Sequence, residues 1–250
     1  MTAFRAIFVA TVQQLSDRRR VLGFGVMALA PTLLLLALSR TGQFDGLDTD
    51  LGMLAVAPFL SMIVPITAVI LGGAAFGDER RDKTLSFLVL RPIRRVDVVA
   101  AKTAGAAAVS SAFAVFGSLA LVGAYAVVGG DFTILPALAV GATVVATIYS
   151  AVFVLVGSVF ARSTLVGVIY VLFVEGVMVE EVSRLHPVSL WRQGLGATMD
   201  LMPGTFPARA LLGPLRGTVP SIENALLLTA GVVAVTIALG TVLLRRTDSV

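Results

Sequence analysis

Glu175 is the charged residue that lies inside a long apolar run of this 250-residue chain. A carboxylate in hydrocarbon costs roughly 2.5–3.5 kcal/mol on insertion scales, so such residues mark pathways, gates or proton relays. Counted from Arg162, Glu175 lies about 20 Å along a helix. That depth is compatible with lining a polar cavity and also with snorkelling to the outer interface, and both readings stand. The second concentration of chemistry is Phe76–Lys102, FGDERRDKTLSFLVLRPIRRVDVVAAK. There Asp78, Glu79 and Asp82 stand among Arg80, Arg81 and Lys83. Acids so placed could serve acid–base catalysis. Their three- and four-residue spacing instead favours pairs on a helix surface, each worth about 0.2–0.5 kcal/mol.

Several chemistries are excluded. The chain has no cysteine, which removes disulfides, thiolate metal sites and cysteine nucleophiles. Its single histidine, His186, cannot form a histidine metal cluster. Glu180-Glu181-x-x-Arg184 with His186 has a distant resemblance to the paired glutamates of intramembrane CAAX-type proteases. The arginine spacing is one residue short, and the further histidines such an enzyme needs are missing. That enzyme class is the first alternative reading. A non-transport membrane scaffold or immunity protein is the second. No G-x-x-x-x-G-K-[ST] phosphate loop occurs, so ATP hydrolysis by that route is not expected of this chain.

The elements that must position these residues follow from composition. Hydrophobic residues make up 57% of the chain and charged residues 14%, against about 25% charged in a soluble domain. So much apolar surface requires lipid as solvent. Six segments approach the ~20 apolar residues that cross a bilayer: 21–38, 53–75, 103–128, 134–160, 163–179 and 225–244. The fourth and fifth are parted only by Ala161-Arg162. Small residues within the spans, such as Gly105 and Gly117, suit close helix contact, and Gly72-Gly73 at the end of the second reads as packing or a hinge.

With both termini inside, Arg5, Arg18–Arg20, the seven basic residues of 76–102, Arg162, Arg245 and Arg246 lie inside. Only Arg40, Arg184, Arg192, Arg209 and Arg216 lie outside. This asymmetry orients the chain by the positive-inside rule. It also accounts for the net charge of +4 without a nucleic-acid partner. Before the first span, Phe4, Ile7, Phe8, Thr11, Val12 and Leu15 recur at helical spacing, which predicts an interfacial helix over 1–20. No small-residue cleavage site follows Arg18–Arg20, so no signal peptide is expected. The proline- and glycine-rich stretch 180–223 predicts short re-entrant or interfacial helices outside. The expected architecture is one all-α membrane domain over 1–250, with six transmembrane helices and a cytoplasmic helix between spans two and three.

That cytoplasmic segment resembles the corresponding part of type-2 ABC transporter permeases. Asp78-Glu79 match the acidic pair and Thr84-Leu85 the Thr-Leu. Phe87–Leu90 match the apolar run, Arg91-Pro92-Ile93-Arg94-Arg95 the proline-centred basic motif, and Lys102 the closing lysine. Arg81 and Lys83 depart from it, standing where relatives often have Glu and Gly. The resemblance implies a coupling helix that seats on a separate ATPase, through Glu79, Thr84, Leu85, Leu88, Val89, Arg91, Pro92, Arg94, Arg95 and Lys102. Leu85, Leu88 and Val89 suit a groove, and the arginines suit acids or anionic lipid headgroups. It further implies two permease subunits, identical or different, and two ATPases in a cytoplasmic-membrane exporter. No cofactor is expected on this chain, and ATP and Mg belong to the partner. Glu175 is the expected pathway or gate residue.

Overall fold

The computed structural model describes residues 3–41, 46–82, 93–160, 162–178, 189–207 and 219–247. Of the described residues 89% are helical, and none lies in a strand. Eight helices of seven or more residues, and a 3-10 turn at Phe132–Ile134, order the described residues. The helices are α1 (Ala3–Leu15), α2 (Arg18–Thr41), α3 (Leu47–Arg81), α4 (Arg95–Val127), α5 (Leu135–Val159), α6 (Ser163–Met178), α7 (Leu190–Asp200) and α8 (Ile222–Thr247). Five of these, α2, α3, α4, α5 and α8, are long and apolar enough to cross a membrane.

The expected fifth span, 163–179, is present only as α6, whose apolar part Ser163–Gly176 falls short of crossing length. Its remaining expected residue, Val179, lies outside the described residues. Two other spans are longer than their apolar runs. Helix α3 continues through Gly72-Gly73 to Arg81, and α4 begins at Arg95, eight residues before the apolar run. Hydrogen bonding, not hydropathy, sets where a helix ends, so charged turns extend past the lipid-compatible stretch.

Helix α5 is the centre, with α3, α4, α7 and α8 packed round it. Two glycines on α5 make this possible. At Gly157 a Cβ would overlap the Gly73 carbonyl of α3, and at Gly141 it would overlap the Gly194 carbonyl of α7. Without side chains the backbones touch, which gains dispersion contacts that lipid cannot replace. Helices α2 and α8 are peripheral, with 22% and 11% of their apolar windows buried against 61% for α3.

Helix α1 is separate from α2. The chain breaks at Ser16-Asp17, where the Asp17 carboxylate accepts from the Arg19 amide at 3.4 Å and starts α2. Thr11 and Leu15 of α1 are buried, with Thr11 against Gly105 of α4. Two segments are π-helical: Ala55–Ile63, which contains Pro58, and Tyr170–Met178, which contains Glu175. Such segments are rare and concentrate at functional sites.

Candidate functional site

Helix α3 ends in Asp78-Glu79-Arg80-Arg81, one residue before the stretch 83–92. Each of the first three side chains there reaches a different part of the bundle. Asp78 pairs with Arg20 at the start of α2, 2.5 Å apart, and with Arg81 of its own helix at 3.1 Å. Glu79 Oε1 pairs with Lys102 Nζ of α4 at 2.8 Å. Arg80 donates to the Val159 carbonyl, the last residue of α5, at 2.6 Å. One turn earlier, Gln14 of α1 donates to the Ala74 carbonyl at 3.4 Å. Arg20 also donates to the Gln14 carbonyl at 3.3 Å. We call this end of the bundle the basic end.

Lys102 is the most enclosed member, 2% exposed. Its ammonium also donates to the Ala75 carbonyl and lies 4.8 Å above the Phe76 ring. Carboxylate, carbonyl and ring face together surround a charge that would otherwise be unaffordable at such burial. Phe76 itself belongs to a buried cluster with Leu15, Leu71, Val98, Val99 and Leu244. The base of the 83–92 connection is therefore a rigid hub in which α1, α2, α4 and α5 are all tied to the last turns of α3.

Of the residues expected to dock a partner, Glu79 and Lys102 are brought together, facing each other. Arg94 is exposed, and its carbonyl opens α4 by accepting from Asp97 and Val98. Arg95 is half-buried in the first turn of α4. Thr84, Leu85, Leu88, Val89, Arg91 and Pro92 lie outside the described residues. Arg20, Gln14 and Phe76 were not among the expected site residues. Only the clustering of Arg18–Arg20 near the same membrane face hinted at the first of them.

Glu175 is 1% exposed, so its carboxyl does not reach the surface. Its Oε2 accepts from the Ser189 hydroxyl at 2.7 Å, and its Oε1 accepts from the Leu190 amide at 3.0 Å and the Tyr170 hydroxyl at 3.2 Å. Leu190 is the first residue of α7, so the carboxylate meets the positive end of that helix. Together these three donors satisfy both oxygens of the buried carboxyl. Tyr170 in turn packs on Tyr149 of α5, with ring centroids 6.5 Å apart. The next residues of α7, Trp191 to Thr198, are all buried. Helix α7 has eleven residues, too few to cross, and its start is buried against α5; it lies within 180–223, where short helices are expected.

At the opposite end, the Tyr125 hydroxyl of α4 donates to Asp48 of α3. They line a cavity of about 370 Å³ with Asp131, Ile134, Thr205 and Phe206. Asp131 accepts from the Thr133 amide at 2.9 Å, and this bond holds its carboxyl below the usual range. No group of three or more metal-ligating side chains occurs among the described residues.

In comparisons with known proteins, the family described as ABC-2 family transporter protein matches residues 2–249. No curated protein sequence matches the chain.

Proposed function

This chain belongs to the ABC-2 family of transporter proteins, and on that premise we propose that it is the permease subunit of an ATP-driven exporter. The family consists of membrane subunits of transporters, and the chain is a multi-pass membrane protein. In our reading it crosses the cytoplasmic membrane six times, with 163–179 as the fifth span. Both termini and the basic end lie in the cytoplasm, as the positive-inside rule directs. Two permease subunits, the same or different, form the working unit. ATP and Mg are bound by a separate ATPase, which seats on the segment 83–92.

The observation that carries this reading is the hub at the end of α3. A groove on the ATPase would grip Leu85, Leu88 and Val89, with Arg91, Arg94 and Arg95 placed for acidic partners. A displacement there is delivered to α3 without slack, because the helix runs unbroken to Arg81. From α3 it passes to α2 through Asp78–Arg20, to α4 through Glu79–Lys102 and to α5 through Arg80–Val159. Glu79 and Lys102 thus act by holding the segment's two ends, not by touching the partner. Glu175 serves the gate from the other side, since it fixes the buried start of α7.

The test is the double variant Leu88→Ala with Arg94→Glu, co-expressed with a candidate ABC ATPase partner. We expect normal membrane insertion, loss of the ATPase on co-purification and loss of permease-stimulated ATP hydrolysis. An undiminished complex with full stimulation overturns the docking assignment.

A further inference from the structure

An apolar groove of about 660 Å³ opens between α1, α2 and α4, away from the hub. Its volume lies within the ~300–1,000 Å³ typical of small-molecule sites. Phe8 and Val12 of α1 form its floor at the basic end, Val21, Gly25 and Leu29 one wall, and Phe113 part of the other. Along α2 it runs from Val21 to Leu29, about 12 Å of helix axis. Its depth comes from small residues, because a Cβ on Gly25 would meet nothing within 4 Å.

The basic end of this groove is charged in a particular way. Ser16 and Val21 line it, and Arg18 and Arg19 fall between them in the chain. Arg20 is committed to Asp78 and to the Gln14 carbonyl. Arg18 and Arg19 are exposed, and neither guanidinium has an acidic partner among the described residues. The nearby Asp17 carboxylate accepts from the Arg19 backbone amide instead.

We propose that this groove is a binding site for an anionic phospholipid, with one acyl chain along Gly25 and Phe113 and the headgroup phosphate at Arg18 and Arg19. An apolar slot lined by Ser16 and Val21, with two exposed cations between them in the chain that have no acidic partner among the described residues, matches an amphiphile with a single negative head. A second copy of this chain fits less well. Seated here about a two-fold axis along the membrane normal, it would bring its own Arg18 and Arg19 to the same end of the seam, where like charges repel. The bound lipid completes the contact between the interfacial helix α1 and the first span. This assignment stands independently of the direction of transport.

The experiment is lipid binding to the delipidated full chain in detergent, read by native mass spectrometry, with dioleoylphosphatidylglycerol and dioleoylphosphatidylcholine as probes. The wild-type chain is expected to retain phosphatidylglycerol in preference to phosphatidylcholine. Arg18→Gln with Arg19→Gln should weaken phosphatidylglycerol binding about thirty-fold and leave phosphatidylcholine unchanged. Gly25→Leu and Ala112→Phe fill the groove from opposite walls and should each remove both lipids. Ala112 is exposed on α4 and keeps the test available should Gly25→Leu fold poorly. Equal retention of the two lipids by the wild type overturns the proposal, as does lipid binding that survives both filling variants. So does a change of oligomeric mass in those variants, which would assign the groove to a second copy.

Discussion

Lys102 Nζ lies 2.8 Å from Glu79 Oε1, and this ion pair joins the helix that enters the 83–92 connection to the helix that leaves it. Truncating one member of a buried pair strands the other, at a cost of about 3–5 kcal/mol. Glu79 keeps some water contact, so Lys102→Met is expected at the lower end, about 3 kcal/mol, read as thermal stability in detergent. Glu79→Gln should cost less. The double variant should recover part of the sum, giving a coupling energy of about 1 kcal/mol or more in a double-mutant cycle. Purely additive losses would mean that the pair does not join α3 to α4.

Arg20→Gln removes the link between α2 and Asp78 while leaving Lys102 and Glu79 in place. The pair is partly exposed, so the expected loss of stability is small, about 1 kcal/mol or less. If the hub transmits motion, substrate-coupled ATP hydrolysis in the assembled transporter should fall by a larger factor than stability does. A proportional fall in both would reduce Arg20 to a stability contact.

Gly157→Ala places a methyl group against the Gly73 carbonyl and must part α3 from α5. The expected loss is about 1–3 kcal/mol, the range for overpacking a close-packed interior. Gly231→Ala in α8 is the control, since its Cβ meets nothing within 4 Å. There the higher helix propensity of alanine should stabilise by up to ~1 kcal/mol. Equal effects at the two sites would contradict the close crossing.

Glu175→Gln retains an acceptor for the Leu190 amide but loses the charge that faces the α7 terminus. About 1 kcal/mol of stability should be lost, while Glu175→Leu, which strands Ser189 and Leu190, should lose about 3 kcal/mol. Transport by Glu175→Gln should fall more than its expression. Unchanged transport at normal expression would leave the residue a helix anchor and nothing more.

Tyr125→Phe removes the bond between α4 and Asp48 at the end opposite the hub. A hydrogen bond to a charged group contributes about 1.5–3 kcal/mol. Thermal unfolding of Tyr125→Phe beside Asp48→Asn measures it: Tyr125→Phe should lose most of this, and Asp48→Asn, which keeps a carbonyl oxygen to accept the bond, should lose less. A neutral Tyr125→Phe would show that water replaces the contact.

The sequence by itself determined that the chain is helical and membrane-spanning, because no soluble core could hide an apolar fraction of this size. It determined the family, because the 76–102 segment carries a fixed order of acidic, apolar and basic residues. Its prolines and glycines marked 180–223 as a break between apolar runs, and the cost of a charge in lipid singled out Glu175. Other relationships were not legible. Asp78 and Glu79 read as local helix-surface charges, yet they bond to Arg20 and Lys102, 58 and 23 residues away. Glu175 was legible as a buried charge, but its partners Ser189 and Leu190, beyond a connection, were not. Composition and periodicity report how each helix meets its solvent. They do not report which helices meet each other. That choice was made by backbone contact at Gly73–Gly157 and Gly141–Gly194, where two small residues far apart in the chain come together only once the bundle has formed.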